Sequence, residues 1–220
     1  MFKSTEPKTY VIAVLNQKGG VGKTTIATNL AHGLNLMDIP TLLVDGDPQG
    51  SARDWHEANG ASLVPCVGLD RETLPEDLKS VRNGYEVIVI DGAPQIAKLS
   101  AAAIRIADLV LIPVQPSPYD VWATADLVEL IKCKQTLTNG FPKAVFILSR
   151  VIKNTNLGRD VIGALNEYGF PILTGKTTQY VSYAQSASRG EAVFCHPVSL
   201  PADREFSLII NELVDNYIKI

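Results

Sequence analysis

Short, uninterrupted apolar runs recur along this chain of 220 residues and constrain its fold more than any other feature. Each run is rich in valine, isoleucine and leucine and lacks the alternation of apolar and polar residues that a half-exposed strand shows. Such strands are buried on both faces, as in a parallel sheet covered by helices. The predicted strands are residues 10–15, 41–44, 86–90, 109–114 and 144–148.

Helix-length segments separate these runs, and the first carries an apolar stripe at helical spacing, including Ile26, Leu30 and Leu34. Alternating strands and helices predict βαβ units. We therefore expect one α/β domain over residues 1–220, a doubly wound, mostly parallel sheet flanked by helices. Residues 52–83 are less regular and predict two short helices and one strand around Leu63 and Val64. The other predicted helices are 24–36, 99–107, 121–137, 158–168, 180–188 and 203–217.

Charge and hydropathy exclude several classes of protein. The 20 basic and 23 acidic side chains give a net charge of −3, so binding to nucleic acid or anionic lipid needs a local patch. The longest apolar stretch, residues 99–114, contains Arg105 and Asp108 and is too short to span a bilayer. The first ten residues contain no apolar segment typical of a signal peptide, and we expect a cytoplasmic protein.

The three cysteines, Cys66, Cys133 and Cys195, are far apart and form neither a CxxC pair nor a Cys/His cluster. This spacing argues against a zinc site or a disulfide framework. We expect small, buried or neutral side chains in a reducing compartment.

A glycine-rich loop lies between the first predicted strand and the first predicted helix. Its glycines allow backbone N–H groups to turn inward, and the helix amino end adds partial positive charge. This order predicts a phosphate-binding loop, in which Lys23 reaches the β and γ phosphates of a nucleotide and the Thr24 hydroxyl holds Mg²⁺. The residues of the predicted loop are Lys18, Gly19, Gly20, Val21, Gly22, Lys23, Thr24 and Thr25.

The strict pattern G-x-x-x-x-G-K-[ST] fails at its first position, where this chain has Gln17, and Lys18 follows instead. The string KGGVGKTT resembles the deviant Walker A loop of the ParA/MinD ATPases. The resemblance implies that Lys18 crosses an ATP-sandwich homodimer and contacts the phosphates bound by the other subunit. Within one subunit, the alternative is that Lys18 points into solvent.

Three further segments extend the resemblance in the order found in the family, over residues 10 to about 150. DGDPQG, from residue 45, resembles switch I, and VIVIDGAP, from residue 87, resembles the Walker B strand and switch II. PVQPSPYD, from residue 113, resembles a strand-end loop of plasmid partition ATPases. The short length of the chain, for which we expect no N-terminal DNA-binding domain, resembles the small ParF-like branch. The resemblance implies slow, Mg²⁺-dependent ATP hydrolysis, stimulated by a small centromere-binding or adaptor protein, that segregates or positions a plasmid or other cargo.

Three acidic residues lie at the ends of predicted strands, where ligands bind in open α/β sheets. Asp91 is expected to hold a water of the Mg²⁺ shell. By resemblance, Asp47 positions or deprotonates the attacking water and adds to the metal site. Asp45 supports the loop or the metal shell. The alternative for each is an aspartate that forms a turn or caps a helix.

Arg150, after the last predicted strand, is expected either to stack on adenine or to cap a loop, and Pro118 and Tyr119 are weaker adenine candidates. The resemblance also implies nonspecific binding of duplex DNA by the ATP dimer, which needs basic side chains on one face and associates the protein with the nucleoid. No linear basic patch exists. The candidates for a spatial patch are Lys153, Arg159, Lys176 and Arg189.

Three other interpretations are weaker. A MinD-like ATPase acting on a membrane needs a basic amphipathic helix, whereas residues 211–220 carry two acids and one lysine. An iron–sulfur reductase needs two cysteines in loops after the Walker B region, which Cys133 and Cys195 do not provide. For a P-loop ligase or small-molecule kinase, no acceptor pocket is evident. The sequence leaves the cargo undecided.

Overall fold

Six parallel strands form one sheet in the computed structural model, which describes residues 9–94, 97–153, 157–195 and 201–219. They are β1 (Tyr10–Val14), β2 (Thr41–Gly46), β3 (Cys66–Gly68), β4 (Val87–Gly92), β5 (Leu109–Val114) and β6 (Lys143–Leu148). Their order across the sheet is β3-β2-β4-β1-β5-β6. The five strands predicted from apolar runs are confirmed, with ends shifted by no more than two residues.

Helices connect successive strands and cover the sheet. In the described ranges they are α1 (Lys23–Leu36), α2 (Ser51–Ala58), α3 (Leu74–Val81), α4 (Ala97–Ile106), α5 (Pro118–Trp122), α6 (Ala125–Leu137), α7 (Leu157–Asn166), α8 (Val181–Ala187) and α9 (Pro201–Asn216). The doubly wound α/β prediction is confirmed, and so are the two short helices predicted between residues 52 and 83, which are α2 and α3.

Both faces of the sheet are buried, which explains the absence of alternation in the strand sequences. In β1, Ile12 and Val14 belong to a core cluster that includes residues of α1 and α9. Val11 and Ala13 belong to a second cluster, with residues of α3, α4 and α6. Because successive side chains point to opposite faces, each strand contributes to both cores.

One predicted helix is wrong: residues 121–137 contain the end of α5 and all of α6. Thr124 lies between these helices and is buried, and its Oγ1 donates to the Val121 carbonyl oxygen at 2.6 Å. A hydroxyl that donates to a carbonyl oxygen of the preceding turn competes with the backbone hydrogen bonds that would continue a helix. Helix α5 begins earlier than predicted, at Pro118, where a missing N–H is tolerated.

The strand predicted around Leu63 and Val64 is wrong in position, because β3 begins at Cys66. Val64 is buried in the core instead of pairing in the sheet. Pro65 accepts a hydrogen bond from the Leu43 N–H at 2.9 Å. Since proline has no N–H to donate, continuous pairing with β2 starts after it.

Helix α9 packs its apolar face against α1, with Phe206, Ile209, Ile210 and Leu213 buried in the same core cluster. This part of the helix is therefore covered by the protein, whereas Leu208 on the same helix is exposed. No helix in the described ranges combines the length and the apolarity needed to cross a bilayer.

The three cysteines occupy different environments. Cys66 and Cys195 are half-buried, and burial raises the pKa of the Cys66 thiol to about 12, which keeps it neutral. Cys133, on α6, is exposed, so of the two expected states, buried or neutral, burial does not apply to this residue. It lies on the outer face of a helix whose inner face carries Leu127, Val128 and Ile131.

Candidate functional site

The carboxyl ends of β2, β4 and β1 lie side by side, with Asp45 opposite Asp91 in the register of β2 and β4. This edge brings together the glycine-rich loop after β1, Asp47 after β2 and the end of β4. Open α/β sheets bind ligands at such an edge, where the strand order reverses. A cavity of about 610 Å³ lies there and is lined by Lys23, Thr24 and Asp47, among other residues.

The glycine-rich loop wraps around the amino end of α1. Gly20 and Gly22 have left-handed backbones, with φ of 75° and 91°, which residues with a Cβ disfavour. The first N–H groups of α1 have no partners within the helix, so they offer donors and partial positive charge to an anion. Among the predicted loop residues, those that line the cavity are Gly19, Gly20, Gly22, Lys23, Thr24 and Thr25, whereas Val21 is buried.

Three polar side chains that the sequence analysis missed hold this loop in shape. Asn16 Nδ2 donates to a carbonyl oxygen of β5 at 2.7 Å. Gln115 Nε2 donates to the Gly20 carbonyl at 2.8 Å, and Ser149 Oγ donates to the Val21 carbonyl at 2.7 Å. Gln115 and Ser149 directly follow β5 and β6, and this position at the functional edge is the signal that could have identified them.

Arg150 contacts the same loop. Its Nη1 donates to the Gly20 carbonyl at 2.9 Å, and its side chain lines the cavity. The backbone of Arg150 is left-handed, with φ of 52°, and its N–H donates to Thr177 Oγ1 at 3.1 Å. Two roles are predicted for this residue; these contacts fit a cap on the loop, and stacking on adenine stays a prediction. Pro118 and Tyr119 lie on α5, outside the described residues that line the cavity.

Lys23 is buried at the base of the loop, with 7% of its surface exposed, and its Nζ donates to the Lys18 carbonyl at 2.9 Å. Burial lowers the pKa of this ammonium, and the charges of Asp91 and Asp47 oppose that shift. Because this buried cation has one acceptor among the described residues, it is well placed to form charge-assisted hydrogen bonds with an anion that enters the cavity.

Thr24 and Asp91 form a pair of hard oxygen donors beside Lys23. Thr24 Oγ1 donates to Asp91 Oδ2 at 2.7 Å. The other carboxylate oxygen, Asp91 Oδ1, is buried and has no hydrogen-bond partner among the described residues. Burial raises the pKa of Asp91 to about 7, which the hydrogen bond from Thr24 opposes. An unsatisfied buried carboxylate oxygen next to a hydroxyl fits the oxygen ligands and hydrated shell that Mg²⁺ prefers.

Asp45 is fully buried and supports the loop that carries Asp47. Its Oδ1 accepts the Asp47 N–H at 3.0 Å, and its Oδ2 accepts the Arg53 N–H at 2.9 Å. Asp47 accepts the Gln49 N–H through Oδ1 at 3.0 Å and lines the cavity. The structure thus gives Asp45 the supporting role and brings Asp47 to the cavity together with Lys23.

Lys18 neither lines the cavity nor points freely into solvent. Its Nζ lies 2.6 Å from Oδ2 of Asp120, whose side chain is only 2% exposed. The second oxygen, Asp120 Oδ1, is buried and has no hydrogen-bond partner within the described parts of the chain. Within one protomer, the side chain of Lys18 is therefore held by α5, which the sequence analysis did not anticipate.

The four predicted DNA-binding residues lie on different segments of the chain. The Val151 N–H donates to the Thr177 carbonyl at 2.8 Å, so the segments that carry Lys153 and Lys176 run side by side. Both lysines are exposed, and Lys153 Nζ lies 4.9 Å from the centre of the Tyr180 ring. Arg189 follows α8 and pairs with Glu191 at 4.0 Å. The side chain of Arg159 lies outside the described residues.

Comparison with known proteins agrees with this architecture. Residues 12–193 match the family model described as the CobQ/CobB/MinD/ParA nucleotide binding domain. The chain is 31% identical to maintenance of carboxysome distribution protein A from Halothiobacillus neapolitanus, over 94% of this chain and 97% of that protein. It is 27% identical to the chromosome-partitioning ATPase Soj from Thermus thermophilus, over 92% of this chain and 94% of that protein.

A solved structure has the same fold. The ATP complex of McdA from Cyanothece superposes with a TM-score of 0.77 and covers 98% of this chain and 99% of that chain. At 17% sequence identity, this likeness concerns the arrangement of strands and helices.

Proposed function

Because the chain belongs to the CobQ/CobB/MinD/ParA family of nucleotide-binding domains and is an ATPase of the ParA/MinD type, we propose that it positions a cargo through cycles of ATP-driven dimerisation on DNA. One observation carries the proposal: Lys18, the extra lysine of the glycine-rich loop, is outside the described residues that line the cavity and is paired with Asp120. An ordinary phosphate loop needs only Lys23 near the phosphates.

The chemical roles follow from the cavity. Loop N–H groups, the amino end of α1 and Lys23 bind the phosphates of ATP and neutralise charge that develops during phosphoryl transfer. Thr24 and Asp91 would hold Mg²⁺, which would supply positive charge to offset the negative charge of the phosphates. Asp47, which lines the same cavity as Thr24, would accept a proton from the attacking water or orient it, and would add to the metal shell. Arg150, on the Gly20 side of the cavity, is the candidate for stacking on adenine.

Exposed apolar side chains around the glycine-rich loop support dimerisation. Large apolar side chains are exposed on segments that contact or adjoin it: Tyr119 and Trp122 flank Asp120, Ile152 follows Arg150 by two residues, and Val181 lines the cavity. Exposed apolar groups around a charged site favour contact with another protein surface. We propose that this surface is a second copy of the chain, in which Lys18 leaves Asp120 and contacts the partner's ATP.

We expect Lys18→Gln to bind ATP about as tightly as the parent but to dimerise and hydrolyse poorly, because the neutral side chain cannot offset the partner's phosphate charge. Light scattering with ATP, ADP and no nucleotide measures dimerisation, and fluorescent-nucleotide titration measures binding. Lys98→Gln, which removes an exposed lysine paired with Glu72 at 3.3 Å, serves as the control. Equal ATP-dependent dimerisation of Lys18→Gln and the parent would contradict the trans-lysine mechanism.

We also propose nonspecific binding of duplex DNA by the ATP dimer, with Lys153 and Lys176 on adjacent segments and Arg189 as a further contact. Such binding would hold the ATP-bound protein on the nucleoid. A small partner protein, either centromere-binding or an adaptor to another cargo, would stimulate hydrolysis and release the dimer. Relatives named for carboxysome distribution and for chromosome partitioning leave both kinds of cargo open.

Each DNA phosphate that a basic side chain neutralises releases a counterion, so the affinity for DNA should fall steeply as the salt concentration rises. With three such cations per protomer, six per dimer, we expect a loss of about 10³-fold between about 50 and 200 mM salt, with ATP but not ADP, on duplexes of unrelated sequence. Fluorescence anisotropy of labelled duplexes measures the affinity.

Replacing Lys153, Lys176 and Arg189 with glutamine should make the affinity for DNA less dependent on salt. Replacing the control residues Lys79, Lys98 and Arg105 with glutamine should leave the salt dependence unchanged. Absence of DNA binding in every nucleotide state would favour a MinD-like ATPase that acts on a membrane or protein cluster.

A further inference from the structure

Arg53, on the first turn of α2, joins three segments that meet beside Asp47. Its Nε lies 3.3 Å from Oδ2 of the buried Asp45 at the end of β2. Its Nη2 donates to the Asp47 backbone carbonyl at 3.2 Å and pairs with Oδ2 of Asp70, after β3, at 3.1 Å. One planar guanidinium therefore ties the loop that carries Asp47 to the edge of the sheet.

Two glycines, Gly50 and Gly68, leave space for this guanidinium. A Cβ placed on Gly68, the last residue of β3, would lie 2.8 Å from Arg53 Nη1 and 3.0 Å from Arg53 Cδ. A Cβ on Gly50 would lie 3.3 Å from Nη2, and Gly50 has a left-handed φ of 75°. The guanidinium thus occupies the space that side chains at residues 50 and 68 would otherwise take.

The same contacts restrain the turn that presents Asp47. The Asp47 carbonyl accepts the Gly50 N–H at 3.0 Å as well as the Arg53 side chain, and Asp47 Oδ1 accepts the Gln49 N–H at 3.0 Å. Because the backbone and the carboxylate of Asp47 belong to one tight turn, release of the carbonyl would also move the carboxylate. A displacement of about 1 Å in a catalytic group is enough to cost on the order of 10²-fold in rate.

We propose that Arg53 is a positioning residue for ATP hydrolysis, which fixes Asp47 against the attacking water and is itself anchored by Asp45 and Asp70. The proposal rests on the function proposed above, in which Asp47 acts on that water. Arg53 lies outside the described residues that line the cavity, so its effect on the reaction is exerted through Asp47.

Gly68→Ala tests the proposal without removing any charged group. Gly68 does not have a left-handed backbone, and the nearest atoms to its new Cβ belong to the flexible Arg53 side chain, so the chain should fold while the guanidinium is displaced. In single-turnover assays with saturating ATP, we expect hydrolysis about 10-fold slower, and about 10- to 100-fold slower in Arg53→Ala, with unchanged nucleotide affinity. In the Arg53→Ala background, Gly68→Ala should have no further effect, because its Cβ no longer meets a guanidinium.

Two controls separate positioning from general stability. Arg105→Ala removes an exposed arginine that lies 3.9 Å from Glu76, and it should hydrolyse ATP at the parent rate. Arg53→Lys should recover part of the rate lost in Arg53→Ala, because an ammonium can pair with one carboxylate but cannot bridge both. Additive effects of Gly68→Ala and Arg53→Ala, or parallel losses of affinity and rate, would overturn the proposal.

Amide hydrogen exchange gives a readout that does not depend on activity. Exchange in the peptide that covers residues 46–52 should be faster in both Arg53→Ala and Gly68→Ala than in the parent. The Gly50 and Gln49 amides donate to Asp47, and in these variants Arg53 no longer holds Asp47 in place. Unchanged exchange in these variants would refute the positioning role, whatever the rates. If the parent itself fails to hydrolyse ATP, the proposed function is wrong, and exchange alone then decides whether Arg53 holds the loop.

Discussion

Lys23→Ala should weaken ATP binding by at least about 100-fold, because a phosphate-binding ammonium contributes roughly 3 kcal/mol or more through charge-assisted hydrogen bonds. Lys23 is buried beside Thr24 at the base of the loop, and its Nζ has one protein acceptor in the described residues, the Lys18 carbonyl. Lys18, the other lysine of the loop, has its Nζ paired with Asp120 and therefore does not replace Lys23 within the same protomer. Titration with a fluorescent ATP analogue in Mg²⁺ measures the affinity.

Lys79→Ala is a matched control, because Lys79 is an exposed lysine on α3 outside the described lining of the cavity. Thermal unfolding of both variants without nucleotide shows whether either change disturbs the fold. ATP should raise the melting temperature of the parent and of Lys79→Ala but not of Lys23→Ala, since only a state that binds ligand is stabilised by it. An ATP affinity within a few-fold of the parent in a folded Lys23→Ala would remove the phosphate-loop assignment.

Asp47→Asn should bind ATP normally but hydrolyse it about 10²- to 10⁴-fold more slowly, which is the usual contribution of a positioned acid or base. Asparagine retains an oxygen that can accept the Gln49 N–H, so the turn is preserved while the charge is lost. Asp47→Ala should also lose hydrolysis, with the turn perturbed as well. In both variants the ATP-bound dimer should persist longer, which light scattering over time measures.

Asp54→Asn is the control for Asp47→Asn, because Asp54 is an exposed aspartate in the first turn of α2, seven positions along the chain. It should hydrolyse ATP at the parent rate. Hydrolysis by Asp47→Asn at the same rate would mean that Asp47 is structural and that another group orients the water. The Arg53 proposal would then lose its premise, even if hydrogen exchange still detected the tether.

The fold was predictable because its determinants are local. Unbroken apolar runs indicate strands buried on both faces, and β1, β2, β4, β5 and β6 lie where those runs lie. The glycine-rich loop was also predictable, because its glycines, the Lys-Thr pair and the start of the helix follow one another in one continuous segment. Errors arose where tertiary packing overrode local pattern, as at Thr124, whose buried hydroxyl separates α5 from α6, and at Pro65, which delays the pairing of β3.

Within the site, the sequence alone determined which residues are candidates for phosphate and metal chemistry: Lys23, Thr24 and Asp91 follow from motif and strand position. Only the tertiary structure decided what holds those groups in place. Lys18 and Asp120 are 102 positions apart, and no local pattern predicts their ion pair. Arg53 meets Asp70 because β3 adds to the sheet beside β2, and it fits because residue 68 has no Cβ. Such contacts depend on distances across the folded sheet, which a pattern along the chain does not encode.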